Sequence, residues 1–419
     1  MRVLVIGSGA REDAICKSLM KKTENDIFCA PGNVGMRLFN IKTINIAEND
    51  FAKLTDFVIE MGIDYTIVGP ELPLNEGIVD YFEEKGLKIF GPNQKSAQIE
   101  SSKLFSKNLM KAAHIPTALY KEFTDAKLAN EELKKSKLPI VVKTDSLAGG
   151  KGVYIINDLV NGGRIIEELL IEHKYQTERI IIEEFLSGEE FSLMAFVQGD
   201  NLYPMPIAQD YKRKSDGDKG SNTGGMGAVC PVKNINQSIV SDAYENILKP
   251  FVKEMNRQGF DYTGVLYAGL ILTDSGLKVI EFNVRFGDPE TEVVIPRIKS
   301  NLSEVIFGLL NNEILDIEWK SKGTDLGVFV ASQGYPEDPK VGNVIDSKKK
   351  FLNYSGEINF ASIDEEDENL LTNGGRLFCI HAHADDLPEA QNNIYSFLDN
   401  IDTTNIFFRH DIGKNSISE

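Results

Sequence analysis

The stretch KVIEFNVRFGDPETE, residues 278–292, starts as a strand and stops being one at its Gly-Asp-Pro sequence. Because residues two apart in a strand point to the same face, Glu281 and Asn283 should project together. Carboxylate and amide oxygens on one face suit a hard cation such as Mg²⁺, which usually accompanies nucleotide phosphates. The stretch therefore predicts a metal and nucleotide site, although the polar face of a half-exposed strand would read the same way.

Strand alternation also predicts where the neighbours of this pair point. Val279 should share the face of the pair, whereas Ile280 and Phe282 should take the opposite one. Arg285, two residues beyond Asn283, extends the polar face as far as strand geometry lasts. Its guanidinium could bind a carboxylate or a phosphate through two hydrogen bonds.

Length and charge narrow the class of protein. A chain of 419 residues is too long for one ordinary core and suggests about two to four domains. Its 45 basic and 63 acidic residues give a net charge of -18, which argues against a broad nucleic-acid or anionic-membrane surface. No apolar run is long enough for a membrane span or a signal-peptide core. The four cysteines are scattered without zinc or redox spacing, so a reducing compartment is expected.

Element patterning changes along the chain. Residues 2–92 alternate short apolar runs with amphipathic helices, which predicts a parallel α/β unit. A single helix is expected over residues 100–113, and residues 116–186 predict a small, mostly antiparallel sheet with helices. Longer strands follow over residues 188–310, and residues 325–419 return to an α/β pattern.

The glycine turn VIGSGARED, residues 5–13, follows a strand and opens a helix. Gly7 and Gly9 would let backbone N–H groups turn toward an anion at the helix N-terminus. The dinucleotide fingerprint needs a third small residue where this chain has Glu12, so an NAD site is disfavoured. A substrate phosphate and a plain tight turn both remain open.

The loop in VVKTDSLAGGKGVYII, residues 141–156, lies between two strands. A glycine loop of this kind can close over a polyphosphate and supply N–H donors and ammonium charge. The mononucleotide phosphate-loop signature fails, because Asp145 stands where its first glycine belongs and Gly152 replaces Ser or Thr. An unoccupied flexible hairpin is the alternative. The residues that carry the signal are Lys143, Gly149, Gly150, Lys151 and Gly152.

Two further segments carry weaker signals. In RIIIEEFLSGEEFSL, residues 179–193, the backbone after the strand could meet an adenine edge, and Glu189 or Glu190 could bond ribose hydroxyls. Residues 210–231 predict a long polar loop whose cations and glycines would cover an anionic substrate, unless the loop is disordered. His381 and His383 have a spacing that can hold zinc, but no third ligand stands out, so a polar strand face is favoured.

The order of these motifs resembles the ATP-grasp superfamily of carboxylate–amine ligases. Within it, the sequence is similar to the phosphoribosylamine–glycine ligase (glycinamide ribonucleotide synthetase) family nearly from end to end. The resemblance rests on VLVIGSGARE, APGNVG, TIVGPELPL, IFGP, LAGGKGV, IEEFLSGEE, NTGGMGA, YTGVLYAGL, VIEFNVRFGDPE, TNGGR and RHDIG. NTGGMGA and EFNVRFGDPE are the specific stretches, whereas the glycine loop is shared across the superfamily and indicates only ATP.

The resemblance implies an α/β architecture: an ATP-grasp fold with an amino-terminal parallel, Rossmann-like domain and a small carboxy-terminal domain. The implied divisions are a substrate domain at 1–100, a lid subdomain at 101–187, a catalytic subdomain at 188–322 and a carboxy-terminal domain at 323–419. The implied reaction joins glycine to 5-phosphoribosylamine through glycyl phosphate, with ATP giving ADP and phosphate, in purine biosynthesis. It implies ATP and Mg²⁺ or Mn²⁺ as cofactors, no nucleic-acid or membrane partner, a cytoplasmic location and a monomer.

The family's site positions carry over by matched motif. Metal ligands would be Glu281 and Asn283. Catalytic residues would be Arg285, Lys143 and Asp210, with Arg285 steadying the acyl phosphate or the glycine carboxylate. Nucleotide-binding residues would be Lys103, Lys143, Gly149, Gly150, Lys151, Gly152, Glu183, Glu184, Phe185, Leu186 and Glu190, the last as the ribose partner. Substrate-binding residues would be Gly7, Gly9, Arg11, Lys212, Asn222, Thr223, Gly224, Gly225 and Asp288.

Four positions depart from the family's usual residues. Asp13 and Tyr211 replace histidines, Ser146 replaces a glycine and Ser221 replaces a proline. None of these removes a metal or nucleotide ligand, so we expect them to alter substrate affinity only.

Three rival functions share part of the pattern. Another ATP-grasp ligase, such as a biotin carboxylase-like enzyme, would share the ATP residues and differ in the acceptor. A nucleotide sensor with a decayed site is disfavoured by the intact Lys143, Glu281 and Asn283. A dehydrogenase would rest only on Gly7 and Gly9.

Overall fold

The computed structural model describes residues 1–21, 24–149 and 151–416. In the amino-terminal part, all five strands are parallel and lie in the order β3-β2-β1-β4-β5, which confirms the predicted Rossmann-like unit. Both faces are covered, since alternate residues of the first strand enter two different apolar clusters. The elements are β1 (Arg2–Gly7), α1 (Ala10–Met20), β2 (Asp26–Pro31), α2 (Val34–Leu38), β3 (Lys42–Thr43), α3 (Phe51–Met61), β4 (Tyr65–Val68), α4 (Glu71–Asn75), α5 (Ile78–Glu83) and β5 (Ile89–Phe90).

The single helix predicted over residues 100–113 is wrong, because the chain forms α6 (Gln94–Ser101) and α7 (Lys103–Ala112). Ser102 lies between them in extended geometry and caps α7, its hydroxyl oxygen accepting a 3.1 Å hydrogen bond from Phe105 N. The Asp145 carboxylate also accepts 3.0 Å bonds from the Ser102 hydroxyl and from Leu104 N. These bonds from Asp145 stabilise the break between α6 and α7. No local sequence pattern indicates them, because their two ends are about 40 residues apart in the chain.

A small sheet with its own core follows. Its four strands are antiparallel and lie in the order β6-β9-β7-β8, as the sequence predicts. Two helices pack their apolar faces on it around Leu133, Ile166 and Ile182. We call this unit the lid. Its elements are β6 (Tyr120–Phe123), α8 (Ala126–Lys135), β7 (Ile140–Thr144), β8 (Val153–Ile156), α9 (Leu159–Leu170), a 3₁₀ turn (Lys174–Gln176) and β9 (Ile180–Glu184).

The central sheet is antiparallel, in the order β11-β10-β16-β17. Residues 210–231, expected as one long irregular loop, instead form a hairpin (β13 with β14) and strands β12 and β15, so that expectation is wrong. The elements are β10 (Glu189–Gln198), β11 (Asn201–Pro204), β12 (Gln209–Asp210), β13 (Arg213–Ser215), β14 (Lys219–Asn222), β15 (Gly227–Cys230), α10 (Gln237–Ala243), a π turn (Tyr244–Leu248), α11 (Lys249–Arg257), β16 (Thr263–Thr273) and β17 (Gly276–Asn283).

The carboxy-terminal sheet recruits strands from the preceding part of the chain. Its order is β12-β15-β18-β23-β20, with β24 also pairing with β18, while β19, β22 and β21 form a separate sheet. The segment between β12 and β15 is thereby anchored to the carboxy-terminal unit. The elements are α12 (Thr291–Val294), a 3₁₀ turn (Ile295–Arg297), α13 (Leu302–Leu310), β18 (Thr324–Ser332), β19 (Val344–Ser347), α14 (Lys348–Leu352), β20 (Glu357–Phe360), β21 (Ile363–Glu366), β22 (Asn369–Thr372), β23 (Arg376–Ala384), α15 (Leu387–Leu398), β24 (Ile406–Phe407) and a 3₁₀ turn (Lys414–Ser416).

None of the helices in the described parts of the chain is long and apolar enough to cross a bilayer.

Candidate active site

A cleft lies between the lid and the central sheet, with about 770 Å³ of empty space including the part open to solvent. This size suits a small-molecule ligand. The glycine loop forms one wall, β17 the opposite wall, and α6 and α7 close one end. The charged and amide residues that line it are Glu71, Glu100, Lys103, Lys107, Lys143, Glu183, Glu281, Asn283 and Arg285.

The β17 wall carries Glu281 and Asn283 side by side, as the sequence predicts. The predicted placement of Val279 on their face is wrong, because Val279 packs in the same apolar core as Phe282. The cause is a β-bulge: Gly269 pairs with Glu281, but the next residue pairs with Val279, which leaves Ile280 extra. The bulge shifts the alternation of side chains by one residue. Val279 before it and Phe282 after it therefore both face the apolar core, while Glu281 and Asn283 both face the cleft.

A buried triad of charges lies across from this pair. Both oxygens of Glu183 are taken, by Lys107 Nζ at 3.0 Å and by Lys143 Nζ at 2.8 Å. Lys143 also donates to the carbonyl oxygen of Ile280 at 3.3 Å, so the bulge supplies one of its acceptors. Burial opposes the charged form of Lys143, but the carboxylates of Glu183 and Glu281 outweigh it and raise its pKa. For Lys107, burial prevails and lowers the pKa.

The glycine loop runs from β7 to β8, a strand-to-strand connection as predicted. Lys103, the first residue of α7, reaches Ser146 O at 3.4 Å, and burial lowers its pKa. A Cβ on Gly152 would lie 2.2 Å from Thr144 Oγ1, so the backbone here packs too tightly for any side chain. Gly149 has a positive φ of +53° and open space around it, Lys151 is exposed, and Gly150 lies outside the described residues.

The predicted adenine segment lies at the edge of the cleft. Glu183 lines the cleft with its side chain committed to the two lysines. The Glu184 carboxylate points elsewhere, accepting from Leu119 N at 3.0 Å and from Lys278 Nζ at 2.9 Å. Phe185 is 40% exposed and Leu186 is half-buried, and neither is among the described residues that line the cleft. The expected ribose partner, Glu190, pairs with Lys212 at 2.9 Å.

Arg285 is held by two carboxylates that the sequence reasoning did not select. Its Nε lies 3.2 Å from Glu71 and its Nη2 lies 3.0 Å from Glu100. Glu100 also accepts a 2.9 Å bond from Val284 N, so it fixes the backbone beside the guanidinium. Burial raises the pKa of Glu100 against the pull of Arg285, whereas for Glu71 the two arginines, Arg285 and Arg11, overcome burial and lower the pKa.

The amino-terminal glycine turn is filled by its own glutamate. Glu12 accepts a 2.7 Å bond from Gly9 N and a 2.6 Å bond from Arg11 Nε. A Cβ on Gly7 would come within 2.6 Å of this side chain. The turn that would carry a dinucleotide pyrophosphate is thus occupied by a carboxylate, which agrees with disfavouring NAD. Arg11 also donates to Phe286 O at 3.2 Å, which joins the turn to the Arg285 segment.

Asp210 and Lys212 lie where β12 enters the carboxy-terminal sheet. Lys212 is 3.8 Å from Asp210 and 2.9 Å from Glu190. Burial raises the pKa of Asp210 to about 7, with Lys212 opposing it and Glu290 adding to it. A carboxyl group with a pKa in this range can both accept and release a proton near neutrality.

The loop of the NTGGMGA motif is pressed between two parts of the molecule. Gly225 has φ +103°, and a Cβ on it would lie 2.4 Å from Cδ of Pro289. Asn222 ends β14, and the Thr223 hydroxyl donates to Lys212 O at 2.9 Å. Gly224 N donates to Tyr335 OH at 2.9 Å. Arg376 lies on the same side of the loop as Tyr335, since a Cβ on Gly224 would be 3.3 Å from both side chains.

Each of the four residues that depart from the family pattern contacts other residues of the chain. Asp13 is buried, pairs with Lys17 at 2.8 Å and accepts from Phe360 N at 2.6 Å. The other three contact the lid, an arginine and a glutamate: Ser146 Oγ reaches Tyr175 O at 3.3 Å, the Tyr211 ring lies 5.2 Å from the Arg409 guanidinium, and Ser221 bonds Glu337.

Sequence reasoning missed Lys107, Glu71, Glu100, Tyr335 and Arg376. Lys107 had a usable signal, since it follows Lys103 by four residues and therefore shares its helix face. Glu71 and Arg376 lie inside the motifs TIVGPELPL and TNGGR, to whose residues the sequence assigned no function. Glu100 and Tyr335 gave no local signal, because their partners are remote in sequence.

His381 and His383 share one partner, Asp325, at 2.8 and 2.9 Å, and Arg297 reaches the same carboxylate at 2.5 Å. Among the residues described, no group of three or more His, Cys, Asp or Glu is arranged to hold a metal ion.

Three family profiles match consecutive parts of the chain. They are the N domain of phosphoribosylglycinamide synthetase over residues 1–100, its ATP-grasp (A) domain over 101–291 and its C domain over 325–415. Similar curated proteins are named phosphoribosylamine–glycine ligase. The one from Listeria monocytogenes is 45% identical, over 99% of each chain. The one from Lactococcus lactis is 43% identical over 100% of each chain, and the one from Streptococcus suis 45% over 100% of each.

Solved structures agree in fold. A phosphoribosylamine–glycine ligase from Thermotoga maritima superposes with a TM-score of 0.84 at 30% identity, covering 98% of this chain and 100% of that one. The biotin carboxylase domain of 2-oxoglutarate carboxylase from Hydrogenobacter thermophilus gives 0.73 at 16% identity, covering 97% and 91%. At that identity the second likeness shows the ATP-grasp fold alone.

Proposed function

Because the chain belongs to the phosphoribosylglycinamide synthetase family, we infer that it is an ATP-dependent carbon–nitrogen ligase that joins glycine to 5-phosphoribosylamine in purine biosynthesis. The observation that carries the inference is the family match across all three parts of the chain. The likeness to a biotin carboxylase extends only to the fold, so the rival carboxylase function has no support beyond it.

Chemically, the reaction takes place in two steps. A glycine carboxylate oxygen attacks the γ-phosphorus of ATP, the bond to ADP breaks, and glycyl phosphate forms. The amine of phosphoribosylamine then attacks the carbonyl carbon, phosphate leaves, and the amine loses a proton. We propose that Asp210, with its pKa of about 7, accepts this proton.

Charge balance supports a divalent cation at Glu281 and Asn283. The cleft is lined by four cationic side chains (Lys103, Lys107, Lys143 and Arg285) and by four carboxylates (Glu71, Glu100, Glu183 and Glu281). A nearly neutral cleft cannot by itself compensate a triphosphate. One carboxylate and one amide oxygen fit Mg²⁺ or Mn²⁺, which take their remaining ligands from phosphates and water. Such a cation, when bound, neutralises charge on the transferring phosphoryl group.

The residues of the chain have separate proposed roles. Lys103 and Lys143 bind the phosphates, while Glu183 holds Lys143 in place with the help of Lys107. The glycine loop with Lys151 closes over the nucleotide, residues 183–186 flank the adenine and Glu190 bonds the ribose. Arg285, restrained by Glu71 and Glu100, faces the acyl phosphate. No protein side chain needs to become covalently modified.

The amino-terminal turn and the loop around residues 222–227 are proposed to hold the substrates. Gly7, Gly9 and Arg11 lie toward the phosphoribosyl amine, while Lys212, the residues from Asn222 to Gly225 and Asp288 close over the same site. We also propose domain limits near 1–100, 101–187, 188–322 and 323–419. We propose that the enzyme acts in the cytoplasm. We also propose that it is a monomer, which sedimentation of the purified chain would test.

The decisive assay measures ADP release with Mg²⁺, glycine and freshly generated phosphoribosylamine, each omitted in turn. Ligation requires both substrates and yields glycinamide ribonucleotide, identified by mass. ADP release with bicarbonate and without glycine would favour the carboxylase. Nucleotide binding without turnover would favour a sensor. A Glu281→Ala variant that turned over like the wild type would remove the metal assignment.

A further inference from the structure

Arg376, from the carboxy-terminal unit, bonds two segments of the central part of the chain. It is the first residue of β23 and is 17% exposed. One end of its guanidinium, Nη1, donates to the carbonyl oxygens of Gly224 and of Gly225, the second at 3.3 Å. The other end, Nη2, donates to the Asp288 carboxylate at 2.6 Å. One side chain thus joins the NTGGMGA loop to the GDPE turn.

The surroundings of Arg376 leave the guanidinium little freedom. Its Cζ atom lies 4.3 Å from the ring centroid of Phe329, a buried residue of β18. Tyr335 OH accepts a hydrogen bond from Gly224 N, and Pro289 lies so close to Gly225 that a Cβ there would be 2.4 Å from its Cδ. The NTGGMGA loop is therefore held between the carboxy-terminal unit and the turn that follows β17.

The turn that contains Asp288, the partner of Arg376, directly follows Arg285, which lines the cleft. Asp288 is three residues after Arg285, and Gly287 O accepts a 2.6 Å bond from Thr291 Oγ1, which stiffens the turn. Arg11 holds Phe286 O at 3.2 Å from the amino-terminal side. Movement of Asp288 would therefore be transmitted to Arg285. Charge reinforces the contact, because the Asp288 carboxylate outweighs desolvation by burial and raises the pKa of Arg376.

We propose that Arg376 is a positioning residue for the ligation: it sets the NTGGMGA loop against the Asp288 turn so that both meet the glycine and amine substrates. The inference rests on the proposed function. Lysine cannot replace this residue, because a single ammonium cannot present a planar fork to two carbonyls and a carboxylate at once. Arg376 bonds Gly224, Gly225 and Asp288, and none of these three residues is proposed to bind ATP.

Arg297 provides a matched control. It is also buried, pairs with Asp325 at 2.5 Å, and donates to the backbone carbonyls of Lys320, Lys322 and Gly323. It makes the same kinds of bond as Arg376, but these partners lie at residues 320–325, outside the NTGGMGA loop and the Asp288 turn. An arginine that only holds the fold together should behave like Arg297.

The test compares Arg376→Lys, Arg376→Ala and Arg297→Lys in the full-length chain with Mg²⁺ and ATP. For Arg376→Lys we expect kcat/KM for glycine and for phosphoribosylamine to fall about tenfold to a hundredfold. KM for ATP should stay within about twofold, since the ATP contacts are intact. Millimolar guanidinium chloride should restore part of the activity of Arg376→Ala only. Arg297→Lys should lower the Tm and leave the ratio of the three KM values unchanged.

Amide hydrogen exchange gives a readout that does not depend on turnover. In Arg376→Lys, the N–H groups of residues 224–226 should exchange faster than in the wild type, while the lid exchanges as before. Wild-type KM values together with wild-type exchange at this loop would overturn the proposal. So would an equal loss for all three substrates in both lysine variants. If the wild type itself does not ligate, the proposed function fails, and exchange at the loop still decides whether Arg376 positions it.

Discussion

Glu292 offers a quantitative test of the site's electrostatics. It lies in α12 at 0% exposure, and neither of its carboxylate oxygens has a hydrogen-bond partner among the described residues. Burial raises its pKa well above 4.5; the nearby Asp288 adds to the shift and Arg376 opposes it. A charge left unpaired in such a place would be costly, so the carboxyl group is expected to remain protonated near neutral pH.

The sign and size of the effect follow from proton linkage. The folded state keeps the proton of Glu292 while the unfolded state releases it above about pH 4.5, so the folded protein loses stability as the pH rises. The slope is about 1.4 kcal/mol per pH unit for as long as the pKa in the folded state exceeds the pH. Glu292→Gln, a neutral side chain of the same shape, removes this loss. The stability of the variant relative to the wild type should therefore rise with pH from pH 5 upward, by about 1.4 kcal/mol for each pH unit over which Glu292 keeps its proton in the folded state.

Urea unfolding of both proteins at pH 5, 6, 7 and 8 measures the difference directly. Glu168→Gln is the control, because the hydrogen bond from Lys174 lowers the pKa of that glutamate, which is therefore ionised throughout this range. The control should show no trend with pH. A stability difference between Glu292→Gln and the wild type that stayed flat from pH 5 to 8 would refute the reasoning, since it would mean that Glu292 is already ionised in the folded state.

Three further perturbations test the cleft and its loop. Glu281→Ala should abolish ADP formation while leaving the Tm within a few degrees, measured by coupled assay and by thermal unfolding; normal turnover would exclude Glu281 as a metal ligand. Lys143→Ala should raise KM for ATP far more than KM for glycine, because it removes the proposed phosphate contact and leaves Glu183 with Lys107 alone; an unchanged KM for ATP would remove that assignment. Gly225→Ala should cost about 1–3 kcal/mol in urea unfolding, because φ is +103° and the new Cβ would meet Pro289; Gly199→Ala, with φ +54° and open space around it, separates the backbone cost from the clash.

Ion pairing explains why the buried cleft tolerates so many charges. Glu183 with two lysines and Arg285 with two glutamates are each held by bonds shorter than about 3.3 Å. Removing one partner from such a group is expected to be more damaging than its contribution in water suggests, because the remaining charge is left buried. The site is thus pre-organised by pairs that a triphosphate and a cation would have to compete with or extend.

Local patterning was sufficient for the regular parts of the fold. The apolar runs of β1 and β4 and the amphipathic α3 follow from residues that are close in sequence, and so does the strand-to-strand glycine loop. Motif order carried the family and hence the ATP-grasp fold. Motif order also predicted that Glu281, Asn283, Lys143 and Arg285 belong to one site. In the structure all four line the same cleft.

What the sequence determined by itself is the regular elements outside residues 100–113 and 210–231 and the chemistry available to them, because periodicity and motif spacing are properties of neighbouring residues. Only the tertiary structure decided that Ile280 forms a bulge, that the chain breaks at Ser102, and that Arg376 spans the NTGGMGA loop and Asp288. Each of these depends on a partner outside the local sequence window, from about ten residues away for the bulge to about 150 for Arg376. A bulge or an ion pair is chosen by what packs against it, and that choice is made only when the whole chain has folded.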